Sequence, residues 1–164
     1  HIVASNLDRA YLIVTIAKPR TSSGFIDRFL VTAEAFGIPT TIVFNKFDLL
    51  ESDTDAMTRQ EELEEIYSNV GYETMRISAE TGLGINEFRA ELNSGINLLS
   101  GHSGVGKSTI INMLIPGLDL KTADVSESHS KGCSLYTSDA ADALTRPACG
   151  ARPCLKNTSH TYTR

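Results

Sequence analysis

Two short stretches carry residue types with specific chemistry, and a third supports them. Gly101-His102-Ser103-Gly104-Val105-Gly106-Lys107-Ser108 fits G-x-x-x-x-G-K-[ST], the pattern of a loop that cradles phosphate. Glycines let backbone N–H groups turn inward on an anion, and a helix beginning after the loop adds its positive dipole end. Lys107 would then reach the β- and γ-phosphates as the catalytic charge. The Ser108 hydroxyl would ligate Mg²⁺, and Thr109 follows in the same turn. Asn45-Lys46-Phe47-Asp48 offers a different chemistry. A carboxylate only accepts hydrogen bonds, so Asp48 suits the two adjacent donors on the N1 and N2 edge of guanine. Adenine presents an acceptor at N1 and would leave the charge unpaired, so the same residue rejects ATP. Asn45 is expected to tie loops together and meet the base, with the stem of Lys46 over its face. In Ser78-Ala79-Glu80-Thr81-Gly82, a backbone N–H would meet the guanine O6 acceptor.

Each stretch alone is weak. N-K-x-D tetrads form ordinary turns, and Ser78–Gly82 also reads as a turn followed by a helix cap. Their settings make them specific. The β-branched run Thr40-Thr41-Ile42-Val43-Phe44 leads into Asn45 and reads as a buried parallel strand. Glu73 to Ile77 is a strand leading into Ser78, and Ile96 to Leu99 is a strand entering the glycine loop. Lys107 to Leu114 leaves that loop with a helical apolar pattern, giving the strand, loop and helix that phosphate binding needs.

The remaining elements complete an α/β alternation. Ala10 to Thr15 is a first strand of buried type. Phe25 to Phe36 is a helix with Ile26, Phe29, Leu30, Ala33 and Phe36 on one face, closed by Gly37 and Pro39. Ser52 to Asn69 is an acidic helix with Met57, Leu63, Ile66 and Tyr67 apolar, and its run of Glu61 to Glu65 is a solvated face. Ile85 to Leu92 is a third helix. Strands alternating with helices predict right-handed βαβ units and a parallel sheet of about four strands.

The order of the motifs is the unusual feature. In an ordinary small GTPase the phosphate loop precedes the guanine element; here it follows by more than fifty residues, while the cyclic order is kept. That arrangement resembles a circularly permuted GTPase with a P-loop NTPase-type sheet. The stretches Ile2-Val3-Ala4-Ser5-Asn6-Leu7-Asp8-Arg9-Ala10 and Phe25-Ile26-Asp27-Arg28-Phe29-Leu30-Val31-Thr32-Ala33-Glu34, with Gly101 to Ser108, narrow the resemblance. They resemble the ribosome-small-subunit-dependent GTPase A family (the EngC type) over about residues 1–132. The resemblance implies GTP and GDP as ligands, Mg²⁺ as cofactor, and GTP hydrolysis late in maturation of the 30S subunit. It also implies 16S rRNA as a partner, reached largely through flanking OB-fold and zinc-binding domains that this sequence lacks.

Leu120 to Gly132 still follows the family's approach to switch I, but the following run, Cys133 to Asp142, departs from it, and no D-x-P-G occurs. The family's metal-closing Thr and switch II water-positioning element are therefore missing. Residues 1–132 carry 11 basic and 18 acidic residues, whereas residues 133–164 carry 4 basic and 2 acidic with three aliphatic side chains. Residues 1–132 are thus expected to form a partial G-domain. Residues 133–164, whose start resembles a translated sequencing adapter, are expected to be a non-native, disordered tail. Cys149, Cys154 and His160 superficially suggest part of a zinc site, but no fourth ligand is obvious unless Cys133 folds back. His102 and His129 read as loop residues and not as bases.

Composition bounds the alternatives. At 164 residues and 41% hydrophobic content the chain is one domain with a modest core. A net charge of −5 argues against a free-standing nucleic-acid binder. Nothing is apolar enough to span a membrane, and three Cys at or beyond Cys133 make no disulfide framework, so a cytoplasmic monomer is expected. With the switches missing, weak nucleotide binding and poor hydrolysis are expected of this polypeptide. A non-catalytic, guanine-nucleotide-gated interaction module is the competing reading. A small-molecule P-loop kinase is a third, which Asp48 disfavours.

Overall fold

The computed structural model describes residues 7–92 and 95–115. The expected readings of residues 116–164, including the switch I approach, the tail and its Cys and His, lie outside the described residues. Within them the chain alternates strands β1 (Arg9–Val14), β2 (Thr40–Phe44), β3 (Glu73–Arg76) and β4 (Asn97–Gly101) with helices α1 (Ser23–Ala35), α2 (Thr54–Val70), α3 (Ile85–Glu91) and α4 (Lys107–Leu114). All pairings are parallel and the sheet order is β3-β2-β1-β4. Among the described residues β4, which enters the glycine loop, is an edge strand.

β1 lies centrally because every residue from Ala10 to Val14 can be buried on both faces. Its alternation divides the core. Tyr11 and Ile13 join Val43, Ile77, Leu99, Phe88, Ile110 and Ile111 under α3 and α4. Leu12 and Val14 join Ile42, Phe44, Ile26, Leu30, Leu63 and Tyr67 under α1 and α2. The Tyr11 and Phe88 rings meet edge to face, 5.1 Å between centroids. Tyr67 donates to the Asp27 carboxylate at 2.9 Å and links α2 to α1.

Two expected core positions face water instead. Phe36 is 76% exposed. α1 stops at Ala35, and Gly37 at φ 64° turns the chain so that the Gly37 and Ile38 N–H groups close on Glu34 and Ala33. Phe36 is thereby outside the helical period. Ile66 is 53% exposed because the buried stripe of α2 runs through Gln60, Leu63 and Tyr67, which puts Ile66 on its flank. Burial of a Gln at the stripe's centre is not legible from hydropathy. A further 3₁₀ turn, Phe47–Leu50, buries Leu50.

Phe88→Ala should destabilise the domain by about 3–5 kcal/mol, because it empties a fully buried ring site and removes the Tyr11 contact. Urea denaturation of both proteins measures the difference.

Candidate functional site

In a parallel sheet every strand ends at the same edge, so the loops after β2, β3 and β4 are neighbours although far apart in sequence. Asn45 follows β2 and is 3% exposed. Its Nδ2 donates to the Val105 carbonyl in the glycine loop at 2.8 Å, and its Oδ1 accepts the Ala79 N–H at 3.1 Å. One side chain therefore joins all three sequence stretches. Gly106 permits this approach. A Cβ there would stand 2.4 Å from Asn45 Nδ2, and its φ of 94° disfavours any larger residue.

Lys46 takes the left-handed conformation at φ 64° and starts the 3₁₀ turn. Its ammonium donates to the Lys18 carbonyl at 2.6 Å, and burial lowers its pKa from the ordinary lysine value. Its stem passes the glycine loop, with Cε about 4.0 Å from where a Gly106 Cβ would be. Asp48 is half-buried, and its Oδ1 accepts the Ser78 hydroxyl at 2.5 Å. Ser78 is fully buried, and its Oγ in turn accepts the Thr81 N–H at 3.2 Å, which aims the hydroxyl proton at Asp48. Both backbone N–H groups of Ser78-Ala79 are engaged within the protein. Ser78 donates to the Leu83 carbonyl at 2.9 Å and Ala79 to Asn45, so a base oxygen would have to share or displace the Asn45 contact.

The glycine loop leaves β4 at Gly101, where a Cβ would strike the Ile13 carbonyl at 2.4 Å. His102 is half-buried and stacks on Phe25 at the start of α1, 3.7 Å between centroids. Burial, with Lys107 and Arg28 nearby, holds its pKa below the ordinary imidazole value. Ser103 is exposed and Gly104 half-buried, and Val105 points its side chain into the core and offers the loop only its backbone. Lys107 is 6% exposed and opens α4. Its Nζ donates to the carbonyls of Gly101 at 2.8 Å and His102 at 2.6 Å, and no carboxylate neutralises it among the described residues. Burial pushes its pKa down to about 8.

Ser108 and Thr109 lie half-buried in the first turn of α4. Among the described residues the Ser108 hydroxyl has no hydrogen-bond partner, and such a hydroxyl is an oxygen donor of the kind a hard cation such as Mg²⁺ takes. Bound there, Mg²⁺ would supply neutralisation of phosphate charge. No cluster of three His, Cys, Asp or Glu suited to a metal occurs among the described residues, and no described helix is long and apolar enough to cross a membrane.

The arrangement is a half-buried carboxylate, a bridging amide and a lysine that meets no carboxylate among the described residues, all at the ends of strands of one sheet. A family model described as RsgA GTPase matches residues 1–146. The chain belongs to the RsgA GTPase family. It is 49% identical over 137 residues to the small ribosomal subunit biogenesis GTPase RsgA of Bacteroides fragilis, covering 84% of this chain and 44% of that protein. The protein of the same name from Flavobacterium johnsoniae is 46% identical over 132 residues, 80% of this chain and 40% of its own length. Among solved structures, YjeQ from Thermotoga maritima aligns with a TM-score of 0.65 at 45% identity, over 72% of this chain and 41% of that one. YloQ, described as a circularly permuted GTPase, aligns at 0.58 and 30% identity, over 65% and 37%. The chain thus spans less than half the length of these relatives. The match to the family model runs past residue 132, the expected end of the G-domain.

Three contacts around the site have no signal in the local sequence: Phe25 under His102, the Lys18 carbonyl that holds Lys46, and Arg76 over Phe47. Each joins distant segments, and no local pattern announces it.

Lys107 carries a pH signature. The charged form is disfavoured by burial, so in the folded protein it releases its proton near pH 8, whereas unfolded lysine holds it to about 10.4. Below pH 8 both states are protonated and the burial penalty is complete. As pH rises from 8 to about 10.4 the penalty disappears, so this group makes stability rise with pH. Carbon-detected NMR of the lysine Cε resonances should show one lysine titrating near pH 8, and Lys107→Met should remove that signal.

Proposed function

We propose that the chain is the guanine-nucleotide-binding core of a GTPase that serves biogenesis of the small ribosomal subunit. The observation that carries this reading is the Asn45 bridge, which unites Asp48, the Ser78-Ala79 turn and the Gly101–Ser108 loop on one edge. The ribosomal role rests on the names of the relatives.

In this reading the glycine-loop amides and Lys107 hold the phosphates, Ser108 holds Mg²⁺, and Thr109 extends the first turn of the helix behind them. Lys107, with no carboxylate to neutralise it among the described residues, is available to charge that develops on the transferring phosphoryl group. Asp48 reads the N1 and N2 donors of guanine, Asn45 and the Lys46 stem frame the base, and Ala79 N–H supplies the O6 contact once Asn45 yields it. The proposed G-domain covers about residues 1–132, and residues 133–164 lie outside it. The site of action is the cytoplasm, the chain acts as a monomer, and 16S rRNA of the 30S subunit is its larger partner.

GDP should bind saturably in a mant-GDP fluorescence titration. Asp48→Asn should weaken GDP by about 10- to 100-fold, the cost of a lost charge-assisted pair, and should favour XDP, whose C2 oxygen accepts from the new amide. Equal loss of both nucleotides would overturn the base assignment. The chain carries no D-x-P-G to position water, so GTP turnover should fall well below that of the full-length Bacteroides fragilis relative. A malachite-green phosphate assay under single-turnover conditions compares them, and matching rates would refute the expectation.

A further inference from the structure

We infer that Arg76 is a positioning residue for base recognition, acting on Asp48 through the ring of Phe47; this rests on the guanine reading above. Phe47 is the variable residue of the N-K-x-D element, and nothing in the chemistry of base reading calls for an aromatic there. The structure shows what the ring touches. The Arg76 guanidinium lies over its face, 5.4 Å from Cζ to the centroid, within cation–π range.

The guanidinium is itself fixed. Arg76 Nε donates to Glu64 Oε1 at 2.8 Å and Oε2 at 2.9 Å, and a terminal nitrogen donates to Oε2 at 2.6 Å. Glu64 is 14% exposed, and its Oε1 also accepts from Gln60 Nε2 at 2.8 Å, Gln60 being fully buried in α2. A planar donor fork on a carboxylate held in this way has little rotational freedom. The chain of contacts thus runs from the core of α2 through Glu64 and Arg76 to the face of Phe47.

Arg76 is also two residues from Ser78, the donor to Asp48. The Phe47 N–H donates to the Ile77 carbonyl at 3.2 Å, so the 3₁₀ turn that carries Asp48 is laid against the end of β3 by its backbone and clamped there by the Arg76–Phe47 contact. Among the described residues no hydrogen bond or ion pair joins Arg76 to Asp48. Arg76 sets the distance between the two loops whose side chains form the Asp48–Ser78 pair, and hence where the carboxylate sits.

A role of this kind separates base reading from phosphate binding. The diagnostic quantity is the ratio of IDP to GDP dissociation constants, because IDP lacks the 2-amino donor that Asp48 accepts. In the full chain, Arg76→Ala should lower that ratio by about two- to fivefold, the strength of an exposed cation–π contact, while inorganic pyrophosphate competes as before. Arg76→Lys should restore part of it, and Phe47→Leu, which keeps the apolar bulk and removes the ring face, should lower it as Arg76→Ala does. An unchanged ratio in Arg76→Ala or Phe47→Leu overturns the inference and leaves the guanine reading standing. Parallel weakening of GDP, IDP and pyrophosphate would make Arg76 merely structural. A wild-type ratio near one would overturn the guanine reading itself, and this inference with it.

Discussion

The site depends on one buried carboxamide. Asn45 both donates and accepts, so it can satisfy a carbonyl on one loop and an N–H on another simultaneously. Aspartate could not donate to Val105, and an aliphatic side chain would leave two buried backbone groups unpaired, which is costly in a low-dielectric interior. Gly106 completes the requirement, since only a residue without Cβ admits the amide so closely. The glycine loop, the Asp48 turn and the Ser78 turn are thereby held as one surface and not as three independent loops.

Around that bridge, charge is arranged with little neutralisation. Lys107 is buried, meets only carbonyl oxygens among the described residues, and pays part of its solvation free energy in a lowered pKa. A lysine kept in this state gains more from an incoming polyanion than one already paired with a carboxylate, because no existing ion pair must be broken. Asp48 is treated differently: it keeps one oxygen engaged by Ser78, which orients the carboxylate without cancelling its charge. The buried lysine and the oriented carboxylate are therefore separate in space and in chemistry, one at the start of α4 and the other between β2 and β3.

Permuting the chain does not disturb this arrangement, because contacts at the edge of a parallel sheet depend on strand order and not on connectivity. β4, last in sequence, pairs beside β1, first in sequence, with Arg9 opposite Asn97 and Ile13 opposite Gly101. The register brings the glycine loop beside the end of β1 and within reach of Asn45. Both faces of β1 are apolar, so the strand is stable only in an interior position, and that preference fixes the sheet order wherever the chain begins.

Much of this was legible in the sequence. The eight regular elements follow from apolar periodicity and β-branched runs, because burial on a sheet face or helix stripe is imposed locally, residue by residue. Asn45, Asp48, Ser78 and Lys107 were identifiable because their chemistry requires those residue types at those spacings. The tertiary structure alone decided which partners they meet. It engaged the Ala79 N–H with Asn45, set Phe25 under His102, buried Gln60 in place of Ile66, and laid Arg76 over Phe47. These contacts join segments whose separation in the chain carries no periodic signal. They arise from how two packed faces and one shared edge fit in space, where side-chain volume and hydrogen-bond satisfaction outweigh local propensity.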